Sequence, residues 1–335
     1  MAINKNIYTM SEWKLGVLAE TTFGTPATAS YQLLNIDGDV SVATDLTQTL
    51  DPRSGDGRTL KTGDASTFFR GGQLTTITAS IVLDTTTAAL LHINAFGVAK
   101  AGTPSGYALD SGYAPAGIGF GDAGGDAVSL GVCLFSPITG ETRYFAGCEL
   151  VTMVVTYEAA TEGGRAHANL TFESRFRPTF GTTAPTTVAY GSTFRYLREF
   201  GTLKNFGVKA SEQDIVLNKV EYTISNPAAY AGQQGANGDP EVVTRGISEA
   251  SVACVFGIKY DANTANFWES HNAGVTMGFE LSDNATWASS TFGMKAEECI
   301  ITSEVSPSQT DAGVFEEISV KCTSDGAGDI FRVVI

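Results

Sequence analysis

Thr76-Ile77-Thr78-Ala79-Ser80-Ile81-Val82-Leu83-Asp84 is the stretch on which the reading of the fold turns. Ile77, Ala79, Ile81 and Leu83 alternate with polar or small neighbours, the two-residue period of a strand with one face buried. After Asp84 comes a short apolar stretch with Leu90, Leu91 and Phe96, closed by Gly97. The second half repeats this order. Ala253 to Tyr260 reads as a strand, Asp261 follows, Phe267 and Trp268 take the places of Leu90 and Leu91, and Gly274 closes at the same spacing from its Asp. An Asp carboxylate accepts hydrogen bonds from the orphan N–H groups of a first helical turn, and Gly adopts the left-handed conformation that ends a helix. Each stretch is therefore expected to be a short helix, capped by Asp84 and Gly97 in one copy and by Asp261 and Gly274 in the other. Trp268 is read as core packing rather than as a ligand platform.

The repeat continues past the helices. Arg143 to Phe145, Gly147, Cys148 and Leu150 to Tyr157 lead to a turn at Glu162-Gly163-Gly164 and a closing strand, Ala166 to Phe172. In the second half Lys295 to Val305 leads through Thr310 to Gly313 into Phe315 to Cys322. Two strands around a Gly-containing turn predict a β-hairpin in each copy. The expected organisation is a first module over residues 1–176, a Thr/Pro/Gly-rich linker over 177–200 and a second module over 201–335. Three segments read as loops: Ala43 to Gly72, Val98 to Ala127 and Asn226 to Glu249.

Composition agrees with an all-β class, mostly strand with short helices. The chain of 335 residues is 43% hydrophobic and 17% charged, with 37 Gly, and is rich in the Thr, Val, Phe and Tyr that suit a pleated surface. Its 36 acidic residues against 21 basic ones leave a net charge of −15 and argue against a grip on phosphate backbones. Five cysteines, Cys133, Cys148, Cys254, Cys299 and Cys322, make no C-x-x-C pair and are expected to be buried thiols of a protein made in a reducing compartment. No apolar run has membrane-spanning length, so the chain is expected to be soluble and not exported.

Two further motifs stand out. Leu15-Gly16-Val17-Leu18-Ala19-Glu20-Thr21-Thr22-Phe23-Gly24-Thr25-Pro26 is an apolar strand running into Glu-Thr-x-Phe-Gly-Thr, and Phe145-Ala146-Gly147-Cys148 opens the first hairpin. With the element from Arg70 to Gly97, and with Asn226-Pro227 after Val220 to Ile224, they occur in an order that resembles the tail tube (major tail) proteins of long, non-contractile-tailed phages. That resemblance implies two tandem tube modules, each a β-sandwich or barrel with one short flanking helix. Sheets of neighbouring modules would join into a continuous barrel lining a lumen, through which DNA passes without specific binding. Relatives mostly build a ring from six single modules, so a fused pair implies trimeric rings of pseudo-sixfold symmetry, with hexameric rings the alternative. Rings would stack into a tube beside tape measure, tail terminator and distal tail proteins, in a virion tail assembled in the host cytoplasm. Long loops of the family reach the next ring. The corresponding residues here are Asp51, Arg53, Asp56, Arg58 and Lys61 in one loop, and Asn237, Asp239 and Glu241 in the other.

The sequence offers no chemistry to set against this reading. His92, His167 and His271 are dispersed and are read as ordinary surface or helix-end residues, and no zinc, P-loop or nucleophile-elbow pattern occurs. Glu297 and Glu298 point to opposite sides of a strand and cannot act together as acid and base. No enzyme activity, cofactor or metal is expected. The alternative reading is a carbohydrate-binding or adhesin-like β-sandwich, with Trp13, Trp268 and Trp287 as sugar platforms.

Overall fold

The computed structural model describes residues 12–25, 30–50, 68–96, 99–100, 106–110, 118–119, 129–201, 203–208, 212–232, 239–245, 250–260, 267, 272–303, 306–310, 313–323 and 329–335. The first half contains β1 (Lys14–Ala19), β2 (Tyr31–Leu33), β3 (Asn35–Leu50), β4 (Phe68–Val82), helix α1 (Thr85–Phe96), β5 (Ala99–Lys100), β6 (Gly106–Asp110), β7 (Ile118–Gly119), β8 (Leu130–Phe135), β9 (Thr142–Glu158) and β10 (His167–Ser174). Next come β11 (Thr179–Gly181), β12 (Thr187–Val188), a 3-10 turn at Leu197–Gly201, β13 (Leu203–Val208), β14 (Gln213–Asp214), β15 (Leu217–Ser225), β16 (Ala228–Ala231), β17 (Val242–Arg245) and β18 (Ser251–Lys259). The chain ends with β19 (Met277–Ser282), β20 (Gly293–Ile301), β21 (Ser306–Thr310), β22 (Gly313–Thr323) and β23 (Asp329–Val334). The fold is all-β with one full α-helix among the described residues.

β9 organises the fold because it belongs to two sheets. Its first half pairs with β8, from Phe135 opposite Thr142 to Leu130 opposite Cys148, in a sheet ordered β12-β2-β1-β8-β9-β11. Its second half pairs with β10 on one side and β15 on the other. Gly147 lies at the crossing with φ +56, and a Cβ there would collide with the Phe176 ring, so both conformation and space demand glycine. The larger sheet runs β3-β4-β10-β9-β15-β18-β22, then β20 and β21 along β22, and on through β19, β13 and β14. Leu15, Val17 and Val132 of the smaller sheet share one core with Ile77, Met153, Leu170, Tyr222, Phe256 and Ile318 of the larger. That core is continuous across both halves of the chain.

The strand order β3-β4-β10-β9 recurs as β15-β18-β22-β20/β21, and its register recurs with it. His167 lies opposite Val82 and Thr156, and in the second half Phe315 lies opposite Lys259 and Ser308. Both hairpins therefore form where the sequence places them.

Three segments read as loops contain strands. In Ala43 to Gly72, β3 and β4 remain paired out to Leu50 opposite Phe68, because a run rich in Thr suits a strand as well as a loop. Within Val98 to Ala127, β6 pairs with the C-terminal β23. β7 joins β16 and β17, from Asn226 to Glu249, in a separate three-stranded sheet. The stretch 177–200 carries β11 and β12, hydrogen-bonded to β9 and β2, and the buried Leu197 and Phe200.

Candidate functional surface

On β10, on β15 from Lys219 and on β9 from Val151 onward burial alternates residue by residue, so one face feeds the core and the other is polar. The outer face of these strands carries Thr152 and Thr156, Asn169 and Thr171, and Thr223 and Ser225, all at least partly exposed. Lys219, at the end of the β9–β15 ladder, is held by carboxylates: Nζ lies 3.2 Å from Glu317 Oε1 and 3.7 Å from Glu221 Oε2. Partial burial works against its charge. The hydrogen bond that Lys219 donates to Glu317 and the fields of Glu221, Glu317 and Glu158 outweigh that and raise its pKa above the ordinary lysine value. The face thus offers hydroxyl and amide groups with Lys219 already paired, a surface that gives a polyanion little to hold.

Four strands of this sheet, β3, β5, β14 and β21, have a single partner among the described residues, and two of them, β3 and β21, end the repeated series. β3 pairs only with β4, and β21 only with β22. An open strand edge presents unpaired N–H and C=O groups, the template on which another strand can add. Inside the chain the corresponding strands, β15 and β9, are paired with each other, from Lys219 opposite Glu158 to Ser225 opposite Thr152.

The two sequence motifs meet at one buried carboxylate. Glu20 is 7% exposed; its Oε1 accepts from Gly147 N–H at 2.8 Å, and its Oε2 accepts from Gly24 N–H at 3.0 Å and Ser129 Oγ at 2.7 Å. Desolvation raises its pKa, opposed by the bonds from Gly147, Ser129 and Gly24. Phe23 of the same motif packs edge-on against Phe176, with ring centroids 5.1 Å apart. Tyr230 of β16 sits over the same crossing, its hydroxyl 3.0 Å from Gly147 O and 2.8 Å from Glu173 O. Glu-Thr-x-Phe-Gly and Phe-x-Gly-Cys are thus two sides of one joint.

Helix α1 is held by both halves. Asp84 Oδ1 accepts from the N–H groups of Thr86 and Thr87, at 3.1 and 3.0 Å, as expected of its cap. Asn94 accepts from Leu150 N–H at 2.7 Å, and Asn226, 2% exposed, donates to Ala95 O at 2.9 Å. His92 departs from its reading as a surface residue: it is 0% exposed, with Nδ1 2.7 Å from Ala88 O and Nε2 2.8 Å from Tyr222 of β15. A carbonyl only accepts, so Nδ1 carries the proton of the neutral ring and Nε2 accepts from the Tyr222 hydroxyl. Burial lowers the His92 pKa to about 4, against the raising effect of the Ala88 bond. Sequence spacing gave no sign of this pair, because Tyr222 occupies an inward position indistinguishable from that of an apolar residue.

The other expected site residues are scattered. Asp51, Arg53, Asp56, Arg58, Lys61, Asn237, Gly97, Asp261, Trp268 and His271 lie outside the described residues. Asp239 accepts from Arg177 N–H at 3.3 Å, so this part of its loop meets its own chain. Glu241 is exposed, and its N–H donates to Ala231 O. Gly274 has φ +65, as a helix-ending glycine requires. All five cysteines are buried and free. Trp287 is half-buried, and so is Trp13, which lies under Arg143 and lines a cleft of about 450 Å³ with Lys14, Asp37, Arg165, Tyr190 and Phe194. Among the described residues no three metal-binding side chains cluster, and no helix is long and apolar enough to cross a membrane. No family model matches the chain, and neither does any curated protein.

Proposed function

We propose that this chain is a structural subunit of a phage tail tube, assembling edge to edge into rings that stack around a channel for DNA. The observation that carries the reading is the β9–β15 joint. It links two four-stranded units of the same order and register, while the corresponding strands β21 and β3 at the ends of the series have open edges. A head-to-tail contact of that kind, repeated between copies, closes into a ring when its rotation allows. Three chains would supply six such units. The polar face of the sheet would line the lumen, and its carboxylate-paired lysine suits passage of a polyanion rather than its capture. In this reading the protein resides in the virion tail after assembly in the host cytoplasm, and the β3–β4 arm reaches the next ring.

The register can be carried from the internal joint to the proposed one. Glu221 lies opposite Thr156; through the paired strands, Glu221 corresponds to Ser41 and Thr156 to Ser308. Ser41 of one copy should therefore face Ser308 of the next. A Ser41→Cys/Ser308→Cys double variant, oxidised under assembling conditions, should give covalent dimers and trimers on a denaturing gel, alongside rings or tubes in negative stain. A particle that stays monomeric at every concentration, without cross-links, refutes the proposal; a ladder ending at six keeps the joint and replaces the three-chain ring. Among the described residues the Trp13 cleft favours a glycan-binding sandwich instead, and a glycan-array signal lost in Trp13→Ala would support that second reading.

A further inference from the structure

We propose that Cys254 and Cys322 are a latent disulfide site that can staple β18 to β22. Their Sγ atoms touch at 3.8 Å. Cys254 lies opposite Val320 in the β18–β22 ladder, so Cys322 is its diagonal neighbour, two residues along β22 on the same buried face. Cys299 lies directly opposite Cys322 across the β20–β22 ladder, which makes it the competing partner. Contact between the sulfurs favours Cys254, since the S–S bond of roughly 2.0 Å needs both side chains aimed at one another and not only neighbouring backbones.

Burial keeps Cys322 a thiol: desolvation holds its pKa well above that of an ordinary cysteine. Reaction therefore waits on local opening, and the site is placed for it. Cys322 is the penultimate residue of β22, where fraying exposes the backbone before the rest of the sheet opens, and Cys254 is the fourth of the nine residues of β18. With a small disulfide oxidant such as oxidised glutathione the steps balance. The Cys322 thiolate attacks one glutathione sulfur and expels a glutathione thiolate, and the Cys254 thiolate then attacks the Cys322 sulfur of the mixed disulfide and expels the second. Two protein thiols lose two electrons, the glutathione disulfide gains them, and the two thiol protons end on the released glutathione. The new loop spans residues 254 to 322 and restricts the unfolded chain, so the oxidised form should melt at higher temperature.

The test needs no variant to begin with, because trypsin separates the three candidates. Cleavage after Arg245, Lys259, Lys295, Lys321 and Arg332 places Cys254, Cys299 and Cys322 in different peptides. Native full-length protein held with oxidised glutathione should lose about 2 Da. A non-reducing digest should yield Gly246–Lys259 joined to Cys322–Arg332, with a raised melting midpoint that a dithiol reverses. Cys299→Ser should leave this unchanged, and Cys322→Ser should abolish it. An unchanged mass, a link between Cys299 and Cys322, or a product arrested as the glutathione adduct each overturns the proposal.

Discussion

Acidification from pH 7 to pH 4 is expected to cost this protein about 3 kcal/mol through His92 alone. In the unfolded chain the imidazole has the ordinary value of 6.5, and in the fold it is pushed down to about 4 because it is buried between α1 and β15. The native state therefore resists the proton that the unfolded state accepts. Stability from this group is complete above the unfolded value, begins to fall below pH 6.5 and is fully lost once the pH passes the folded value. With 1.36 kcal/mol per pH unit, the loss is about 2 kcal/mol at pH 5 and about 3 kcal/mol at pH 4. Protonation would also turn Nε2 into a donor and reverse its bond with Tyr222. The assay is denaturant unfolding at pH 7, 6, 5 and 4 for the native sequence and for His92→Gln, which does not titrate. Carboxylates such as Glu20 shift both proteins alike, so the difference between the two pH profiles isolates His92. Parallel profiles over this range would refute the assignment of a neutral, buried imidazole.

Two further substitutions probe the joints between motifs. Glu20→Ala strands the N–H groups of Gly24 and Gly147 and the Ser129 hydroxyl, and is expected to destabilise by about 3–5 kcal/mol in urea unfolding; a loss below about 1 kcal/mol would mean that water replaces the carboxylate freely. Asn226→Ala leaves Ala95 O without its side-chain donor at the end of α1 and should cost about 1–3 kcal/mol, with amide exchange accelerating first in α1; exchange faster only in β16 would refute the coupling between the halves.

What was legible in the sequence had local causes. Ile77, Ala79 and Ile81 show their period within one strand, Asp84 lies within three residues of the amides that it caps, and each hairpin turn adjoins its own strands. Reading Ala43 to Gly72 as loop failed for the same reason: polar composition is visible locally, but the pairing of β3 with β4 is made by a partner. His92 was misplaced because nothing in a lone histidine on an apolar helix says whether a tyrosine far along the chain will meet it.

By itself, then, the sequence determined the all-β class, the place of α1, its Asp84 cap and the two hairpins, since these rest on periodicity, capping and turns within a few residues. Only the tertiary structure decided that β9 turns at Gly147 from one sheet to the other, that Glu20 gathers both motifs, that His92 and Asn226 tie α1 to the second half, and that β9 pairs with β15. These depend on which strand lies beside which, and in what register. Backbone N–H and C=O groups are the same in every residue but proline, so the choice of partner strand falls to the core that both halves fill together.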